Sequence, residues 1–175
     1  GNAIIFFVAS PSECGMGCAM LENKVKSLKK NGLDINLYCG VLAGPTTKED
    51  FLIAESESKY KELGYNRKVI FATNAVESSL TVADLKYVVD SGMEKFPSYN
   101  PDLMASSLML QFITQAQAKQ RKGRCGRTFP GEWYPLYTKK QYESLMEYPL
   151  SEIQKENLTE YILDFFSGNL GVDNV

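Results

Sequence analysis

The stretch AIIFFVASPSE, residues 3–13, joins a short apolar run directly to the residues that open a helix. The run is rich in β-forming side chains and lacks polar alternation, which is typical of a strand buried in a parallel sheet. Its serines can cap the following helix, and a proline fits well in a first turn. We therefore predict a strand over residues 3–9 and a helix that ends near residue 30, before Asn31 and Gly32.

The same alternation of strand and helix continues along the chain. Apolar runs predict three further strands, at residues 34–39, 68–72 and 86–90, and a helix is expected to begin near residue 48. Strands that alternate with helices indicate a parallel sheet covered on both faces. The expected fold class is therefore α/β, a RecA-like or doubly wound parallel sheet sandwiched by helices.

Two β-prone runs interrupt this alternation, at residues 93–99 and 108–113, and a turn-forming Asn-Pro-Asp sequence lies between them. We interpret them as an inserted hairpin with a long loop; the alternative is a plain extension of the sheet edge. A further strand is expected at residues 132–137, and short helices at 141–147 and 157–166.

The composition is that of an ordinary globular protein, with 44% hydrophobic and 23% charged residues among 175. The formal net charge is −2 and the sequence pI is about 5.3, so no global basic field attracts nucleic acid. Any recognition of anions must therefore be local. No apolar run is long enough to span a membrane, and no secretory signal is expected, because no basic stretch precedes the apolar residues 3–9.

Four cysteines and the lack of any histidine limit the chemistry of these 175 residues. A structural zinc site is not expected, because no histidine and no second pair of closely spaced cysteines is present to complete one, and a histidine-dependent hydrolase is excluded within this chain. We predict buried or half-buried free thiols in a reducing compartment for all four. They are Cys14, Cys18, Cys39 and Cys125.

Three of the four arginines lie in QAQAKQRKGRCGR, residues 115–127, at a spacing of three. The planar, always charged fork of arginine suits phosphate. On a helix, Gln120, Arg124 and Arg127 would share one face, and each glycine would cost about 1 kcal/mol relative to alanine. The stretch is either a phosphate-reading face or a solvated basic run or localisation signal, as most short basic clusters are.

A loop of small and polar residues, TNAVESSLTV at 73–82, follows the strand predicted at 68–72. Ligands of parallel α/β sheets bind at the loops beyond the carboxyl ends of the strands. The hydroxyl and backbone N–H groups of this loop suit phosphates. The alternative is a strand-to-helix turn in which Thr73, Asn74 and Ser78 only satisfy backbone groups.

Taken together, FATNAVESSLTV at 71–82 and QRKGRCGR at 120–127 resemble motifs V and VI of the superfamily 2 helicases, best those of the DEAH-box group and its viral relatives. The resemblance extends to VVDSG at 88–92, YNP at 99–101 and LYT at 136–138, and covers nearly the whole chain. Within the group, ESSLTV and QRKGR are similar to the poxvirus-type RNA helicases of large cytoplasmic DNA viruses.

The resemblance implies that residues 1–150 form the C-terminal RecA-like domain of a 3′-to-5′ helicase acting on RNA or DNA. Residues 151–175 would be a C-terminal helix and the start of a linker. The implied partner is an N-terminal RecA-like domain of the same chain, which would hold most of the ATP and Mg²⁺. In agreement, these residues contain no G-x-x-x-x-G-K-[ST] phosphate loop, and a D-E-x-H box needs a histidine.

An intracellular location is also implied, in the host cytoplasm or virion for a viral protein and in the nucleus or cytoplasm otherwise. The alternative function is a non-catalytic RecA-like scaffold or RNA-binding module. Such a scaffold has no use for the glutamine and arginine face of the basic stretch, which is why the helicase is preferred.

The resemblance assigns catalytic roles within the basic stretch. Arg127 corresponds to the arginine finger, Arg124 to a γ-phosphate contact, and Gln120 to a residue that positions the attacking water or the γ-phosphate. Arg121 lies off this face and is expected to have a structural or interdomain salt-bridge role.

Nucleotide contacts are implied for Phe51, stacked on the adenine, and for Thr81, on the ribose side; the alternative for Phe51 is a core phenylalanine on an amphipathic helix. The family usually has Asp-Gly two and three residues beyond this threonine, whereas this chain has Ala83 and Asp84. The ribose-binding carboxylate is therefore expected to be displaced or lost.

Nucleic-acid phosphates are expected to meet Thr73, Asn74 and the backbone near Ser10, through contacts that are independent of base sequence and sensitive to salt. The hairpin resembles the one that the family uses to separate strands. Aromatic and methionine side chains on it, Phe96, Tyr99 and Met104, are expected to stack on or block a base.

Overall fold

The computed structural model describes residues 3–44, 46–76, 81–100, 105–126 and 130–149. Strands and helices alternate along most of these ranges. The elements are, in chain order, β1 (Ala3–Phe7), α1 (Pro11–Lys30), β2 (Leu37–Leu42), α2 (Lys48–Glu55), α3 (Lys59–Glu62), β3 (Arg67–Ala72), a 3-10 turn (Asn74–Val76), β4 (Leu85–Asp90), β5 (Met93–Asn100), β6 (Ala105–Phe112), α4 (Gln115–Lys122), β7 (Glu132–Pro135) and α5 (Lys139–Ser144).

Five strands form one parallel sheet in the order β2-β3-β1-β4-β7. Alternate residues of the central strand β1 face opposite sides, so each side carries its own apolar cluster. Ile5 and Phe7 belong to the cluster beneath α2, whereas Ile4 and Phe6 pack toward Val69 and α1 on the other side. The predicted α/β fold, a parallel sheet sandwiched by helices, is confirmed.

The helix start predicted after β1 is confirmed in detail. Ser10 is the N-cap of α1, with extended backbone and a hydroxyl that accepts from the backbone N–H of Glu13, and Pro11 is the first helical residue. Strand β2 begins three residues later than predicted, at Leu37, where its pairing with Arg67 of β3 starts. The helix predicted at residues 157–166 lies outside the described residues.

The hairpin of β5 and β6 forms a separate two-stranded antiparallel sheet. The alternative in which it simply extends the edge of the main sheet is therefore wrong. Ile113, just after β6, donates its backbone N–H to the carbonyl oxygen of Gly92 at 2.9 Å, which closes the base of the hairpin beside the carboxyl end of β4. No helix in the described part of the chain is long and apolar enough to cross a membrane.

Two of the four cysteines are bonded to each other. Cys18 on α1 and Cys39 on β2 form a disulfide, with Cα atoms 5.7 Å apart, a separation that suits this bond. The prediction of free thiols is therefore wrong for these two, because α1 packs directly on β2 and brings the side chains together. Cys14 and Cys125 are free, as predicted.

A buried lysine holds the C-terminal turn of α2. The ammonium of Lys68, on β3, donates to the carbonyl oxygens of Ile53 at 3.1 Å, Ala54 at 2.6 Å and Ser56 at 2.7 Å, and the residue is 0% exposed. The last carbonyl groups of a helix lack partners within the helix, so this lysine supplies them. Burial lowers the pKa of Lys68 from 10.5 to about 8.

This lowered pKa predicts that the contribution of Lys68 to stability rises with pH. Between about pH 8 and pH 10 the unfolded chain binds more protons at this lysine than the folded chain does, so the free energy of unfolding increases with pH. Urea unfolding of the wild type and of Lys68→Met across this window measures the effect as the difference between the two proteins. Other groups that titrate in this range cancel in that difference. A difference that stays flat or falls with pH would contradict the prediction.

Candidate functional site

The carboxyl ends of β1, β3 and β4 lie side by side at one edge of the sheet, because the three strands are parallel neighbours. Backbone hydrogen bonds join the loops that follow them. Val8 donates to the carbonyl oxygen of Ala72 at 2.9 Å, and Ser91 to that of Phe7 at 3.1 Å. The residues after β1 and β3, where nucleic-acid contacts are predicted, therefore belong to one surface.

The three predicted nucleic-acid residues differ in exposure at this edge. Ser10 and Thr73 are each 4% exposed, and the Ser10 hydroxyl is used in capping α1. Asn74 opens the 3-10 turn after β3, is half-buried, and donates from its Nδ2 to a carboxylate oxygen of Glu94 at 3.2 Å. Asn74 is thus the one of the three whose side chain reaches solvent.

The arginine stretch begins as a helix but does not continue as one. Thr114 and Gln117 form a capping box at the start of α4, and Gly123 caps its end. Gly126 then adopts a φ of +84°, a left-handed backbone that other residues rarely take. Gln120 and Arg124 therefore do not share a helix face, because α4 ends at Lys122. The prediction was wrong for this pair because it extended the helical period through Gly123, which ends the helix.

The turn after α4 is hydrogen-bonded to the last residues of the helix. The backbone N–H of Arg124 donates to the carbonyl oxygen of Arg121 at 3.1 Å. Gln120 is exposed and Arg124 is half-buried. Arg127, the predicted arginine finger, lies outside the described residues.

Gly131 was not predicted as a site residue, yet it permits this turn to pack against the sheet. A methyl group in place of its hydrogen would lie 2.6 Å from Cβ of Cys125, 2.7 Å from the backbone nitrogen of Gly126 and 3.0 Å from the carbonyl oxygen of Lys86. Only glycine allows so close an approach of two backbones. A Pro-Gly pair shortly after a glycine-rich turn is the sequence signal that could have indicated it.

A buried ion pair anchors α4 to the carboxyl end of β4. The guanidinium of Arg121 donates to Asp90 at 2.7 Å, and both side chains are 0% exposed. It also lies over the ring of Phe7, 5.0 Å from the centroid, where a cation is attracted to the aromatic face. The structural role predicted for Arg121 is confirmed.

Asp90 was not predicted as a partner, although it is the centre of this anchor. Besides Arg121, its carboxylate accepts from the backbone N–H of Gly92 at 2.9 Å and from the hydroxyl of Tyr137 at 2.9 Å. Burial and the charge of Asp90 raise the pKa of Tyr137. One carboxylate therefore ties together α4, the base of the hairpin and the segment after β7.

The two predicted nucleotide contacts lie in segments that touch. Phe51 is half-buried on α2 and packs against the apolar cluster beneath that helix. This packing agrees with the alternative in which Phe51 is a core residue. Thr81 is exposed. Its segment is bound to the end of α2, because Ala83 donates its backbone N–H to the carbonyl oxygen of Ala54 at 3.0 Å.

Asp84 explains the departure from the family's Asp-Gly pair. It has a φ of +59°, and among the described residues it is the one non-glycine residue with positive φ. Aspartate tolerates this conformation better than most side chains, which accounts for its replacing glycine here. Its carboxylate accepts from the hydroxyl of the buried Tyr60 at 3.3 Å. This acid therefore has a partner in α3.

Other predicted features have less support in the structure. Phe96 is half-buried on β5, the side chain of Tyr99 is not described, and Met104 lies outside the described residues. Among the residues that are described, no group of three histidine, cysteine, aspartate or glutamate side chains is arranged to hold a metal ion.

A parallel sheet with an antiparallel hairpin and an anchored basic helix at its carboxyl edge defines a RecA-like α/β domain. Residues 1–129 match the family described as "Helicase conserved C-terminal domain". The match covers most of the chain, and the protein therefore belongs to this family, as the motifs predicted.

Named relatives and solved structures agree with this family assignment. The chain is 48% identical over 161 residues to the pre-mRNA-splicing factor ATP-dependent RNA helicase prp22 of Schizosaccharomyces pombe, which covers 91% of this chain and 13% of that protein. It is 36% identical over 157 residues to a protein of Acanthamoeba polyphaga mimivirus named as ATP-dependent RNA helicase L540, covering 89% of this chain and 21% of that one. The crystal structure of the E. coli DExH-box NTPase HrpB superposes with a TM-score of 0.75 at 25% identity, over 97% of this chain and 19% of HrpB. This chain thus spans about a fifth or less of the length of these relatives.

Proposed function

We propose that this chain is the C-terminal motor domain of an ATP-dependent helicase that acts on RNA. One observation carries the proposal: the Arg121–Asp90 pair anchors the helix bearing Gln120 to the end of β4, and Glu94, just beyond β4, accepts a hydrogen bond from Asn74. The predicted ATP-facing and nucleic-acid-facing segments are therefore joined through buried contacts. The names of the relatives, and the DEAH-box resemblance of the motifs, support RNA as the substrate.

In this proposal the domain supplies half of an ATP site. Arg124 contacts the γ-phosphate, Arg127 stabilises charge on the transferring phosphoryl group, and Gln120 positions the attacking water. ATP and Mg²⁺ are held mainly by an upstream RecA-like domain of the same protein. Because the arginines arrive from a separate domain, hydrolysis is coupled to closure of the cleft between the two domains.

RNA lies across the carboxyl edge of the sheet, along Asn74 and the backbone after β1 and β3. A net charge of −2 leaves these contacts local. They engage the sugar-phosphate backbone, so affinity falls with salt and depends little on base sequence. A viral origin is supported by the mimivirus relative.

The test compares this chain with the two-domain protein, meaning the chain expressed from its native gene together with the upstream domain. We expect RNA-stimulated ATP hydrolysis from the two-domain protein and no appreciable turnover from the 175 residues alone, because the phosphate loop is not among them. Robust turnover by the shorter chain would contradict the half-site proposal. A two-domain protein that binds RNA without hydrolysing ATP would indicate a scaffold instead.

Phe51 provides a second test, of nucleotide binding. If its ring stacks on adenine, Phe51→Ala lowers kcat/KM for ATP in the two-domain protein. Loss of a base–aromatic stack costs about 1–3 kcal/mol, so a fall of about fivefold or more is expected, whereas the ratio of ATP to GTP falls only by the difference between the adenine and guanine stacks. Leu52→Ala, at a neighbouring residue of α2 that is 52% exposed, is the control. An unchanged kcat/KM for ATP would assign Phe51 to the core alone.

A further inference from the structure

Glu94 is a carboxylate that is only 5% exposed and is surrounded by neutral amides. It lies on β5, and its oxygens accept three hydrogen bonds from side chains of different elements. The donors are Asn74 Nδ2 at 3.2 Å, Gln111 Nε2 at 2.7 Å and Gln117 Nε2 at 2.6 Å. Because a buried carboxylate needs donors, this arrangement joins the loop after β3, the hairpin and α4 through one side chain.

The orientation of Gln117 is set independently of Glu94. Its Oε1 accepts from the backbone N–H of Thr114 at 2.8 Å and from the Thr114 hydroxyl at 3.1 Å, as part of the capping box of α4. The amide nitrogen is therefore left to face Glu94. Since α4 is itself anchored by Arg121, the carboxylate of Glu94 is held by a rigid neighbour.

The same chemistry sets the orientation of Asn74. Glu94 accepts from the nitrogen of the Asn74 amide, so the amide turns Oδ1 away from Glu94. Among the described residues, none donates to this Oδ1, and Asn74 is half-buried at the carboxyl edge of the sheet. What Asn74 presents at that edge is thus a hydrogen-bond acceptor, while the second hydrogen on Nδ2 stays available for a phosphate oxygen.

An acceptor at this position distinguishes RNA from DNA. Phosphate oxygens cannot donate to it, whereas the ribose 2′-hydroxyl can, and this hydroxyl is the group that DNA lacks. We propose that Glu94 is a positioning residue that fixes Asn74 so that its Oδ1 accepts from a ribose 2′-hydroxyl, and that the pair contributes to selectivity for RNA. This inference rests on the proposed function, because it needs RNA to lie along the carboxyl edge.

The experiment measures the affinity of the two-domain protein for three single strands of one sequence. They are oligouridine, oligodeoxyuridine and 2′-O-methyl-oligouridine, each about 12 nucleotides long. The 2′-O-methyl strand keeps the oxygen but has no hydrogen to donate. The wild type is expected to bind the RNA more tightly than either analogue.

Two substitutions at Glu94 separate positioning from folding. Glu94→Ala frees the Asn74 amide to rotate, and we expect the ratio of RNA to DNA affinity to fall about threefold to tenfold, the worth of one hydrogen bond. In Glu94→Gln, the new oxygen can still accept from Asn74 and Gln117 while its nitrogen donates to a turned Gln111, so the ratio should stay near that of the wild type. Asn74→Ala removes both the acceptor and the Nδ2 donor, so it should lower the affinity for all three strands and lower it most for RNA.

Lys95→Ala is the matched control, because Lys95 is the next residue on β5 and is exposed. Lys95→Ala should lower the affinity for all three strands by a similar factor. A folded Glu94→Ala protein with the same ratio of RNA to DNA affinity as the wild type would overturn the inference. So would a Glu94→Gln protein in which this ratio falls as far as it does in Glu94→Ala. Failure of the wild type to bind any RNA would overturn the proposed function and this inference with it.

Discussion

Arg127→Ala is expected to lower RNA-stimulated ATP hydrolysis by the two-domain protein by about 10³-fold. An arginine of this kind neutralises charge that develops on the transferring phosphoryl group, and in GTPases it contributes about 10³–10⁵ in rate. The loss should be in kcat more than in KM, because the contact is strongest in the transition state. Arg127→Lys should recover only a small part, since lysine keeps the charge but not the planar fork.

Lys119→Ala provides the control for this prediction, because Lys119 is exposed, basic and on the same stretch. It should leave kcat nearly unchanged, which would show that the effect belongs to one guanidinium and not to the charge of the segment. If the turnover of Arg127→Ala is within a few-fold of the wild type, Arg127 is not the arginine finger. In the 175 residues alone, the fluorescence of Trp133, their one tryptophan, can report whether the domain keeps its packing in the variant.

The sheet could be predicted from the sequence because its strands are short apolar runs and the helix after β1 has its own start signal. The run at residues 3–9 and the serine and proline after it are local features, and the structure has the strand and helix almost where they predict. Parallel order then places the loops after β1 and β3 at one edge. The candidate site follows from that topology more than from any single motif.

The interactions that hold the site together could not be predicted in this way, because they join residues far apart in the chain. Asp90 and Arg121 are separated by 31 positions, and Glu94 and Gln117 by 23. Periodicity within α4 carries no information about either partner. The end of α4 was missed for a different reason, since helical spacing was extended through Gly123 although glycine is a common helix stop.

The disulfide is a third kind of miss. The spacing of Cys14 and Cys18 correctly places both on one helix, but the partner of Cys18 lies on a strand 21 residues away. Which cysteine pairs with Cys18 depends on how α1 lies on the sheet. The packing of whole helices and strands decides such contacts, and one sequence alone does not show that packing.

Removing one member of the buried ion pair should have the largest effect on folding. Arg121→Ala leaves the charge of Asp90 in a site with no exposed surface, and breaking such a pair typically costs about 3–5 kcal/mol. Urea unfolding of this chain would measure the loss as a lower midpoint at unchanged slope. The exposed pair of Lys139 and Glu143, 3.7 Å apart with side chains 89% and 61% exposed, is the control. Lys139→Ala should cost no more than about 0.5 kcal/mol.

Adding Asp90→Asn to a variant with Arg121→Met should restore part of the lost stability, because the double variant buries no unpaired charge. The asparagine oxygen can still accept from the backbone N–H of Gly92, and its nitrogen can donate to the hydroxyl of Tyr137, while methionine fills the volume of the guanidinium stem. Stability is then regained even though α4 has lost its charged anchor. If the double variant is as unstable as Arg121→Ala, the cost comes from lost packing of the arginine against Phe7 and not from the charge of Asp90. A loss below about 1 kcal/mol for Arg121→Ala itself would show that the pair does not hold the helix to the sheet.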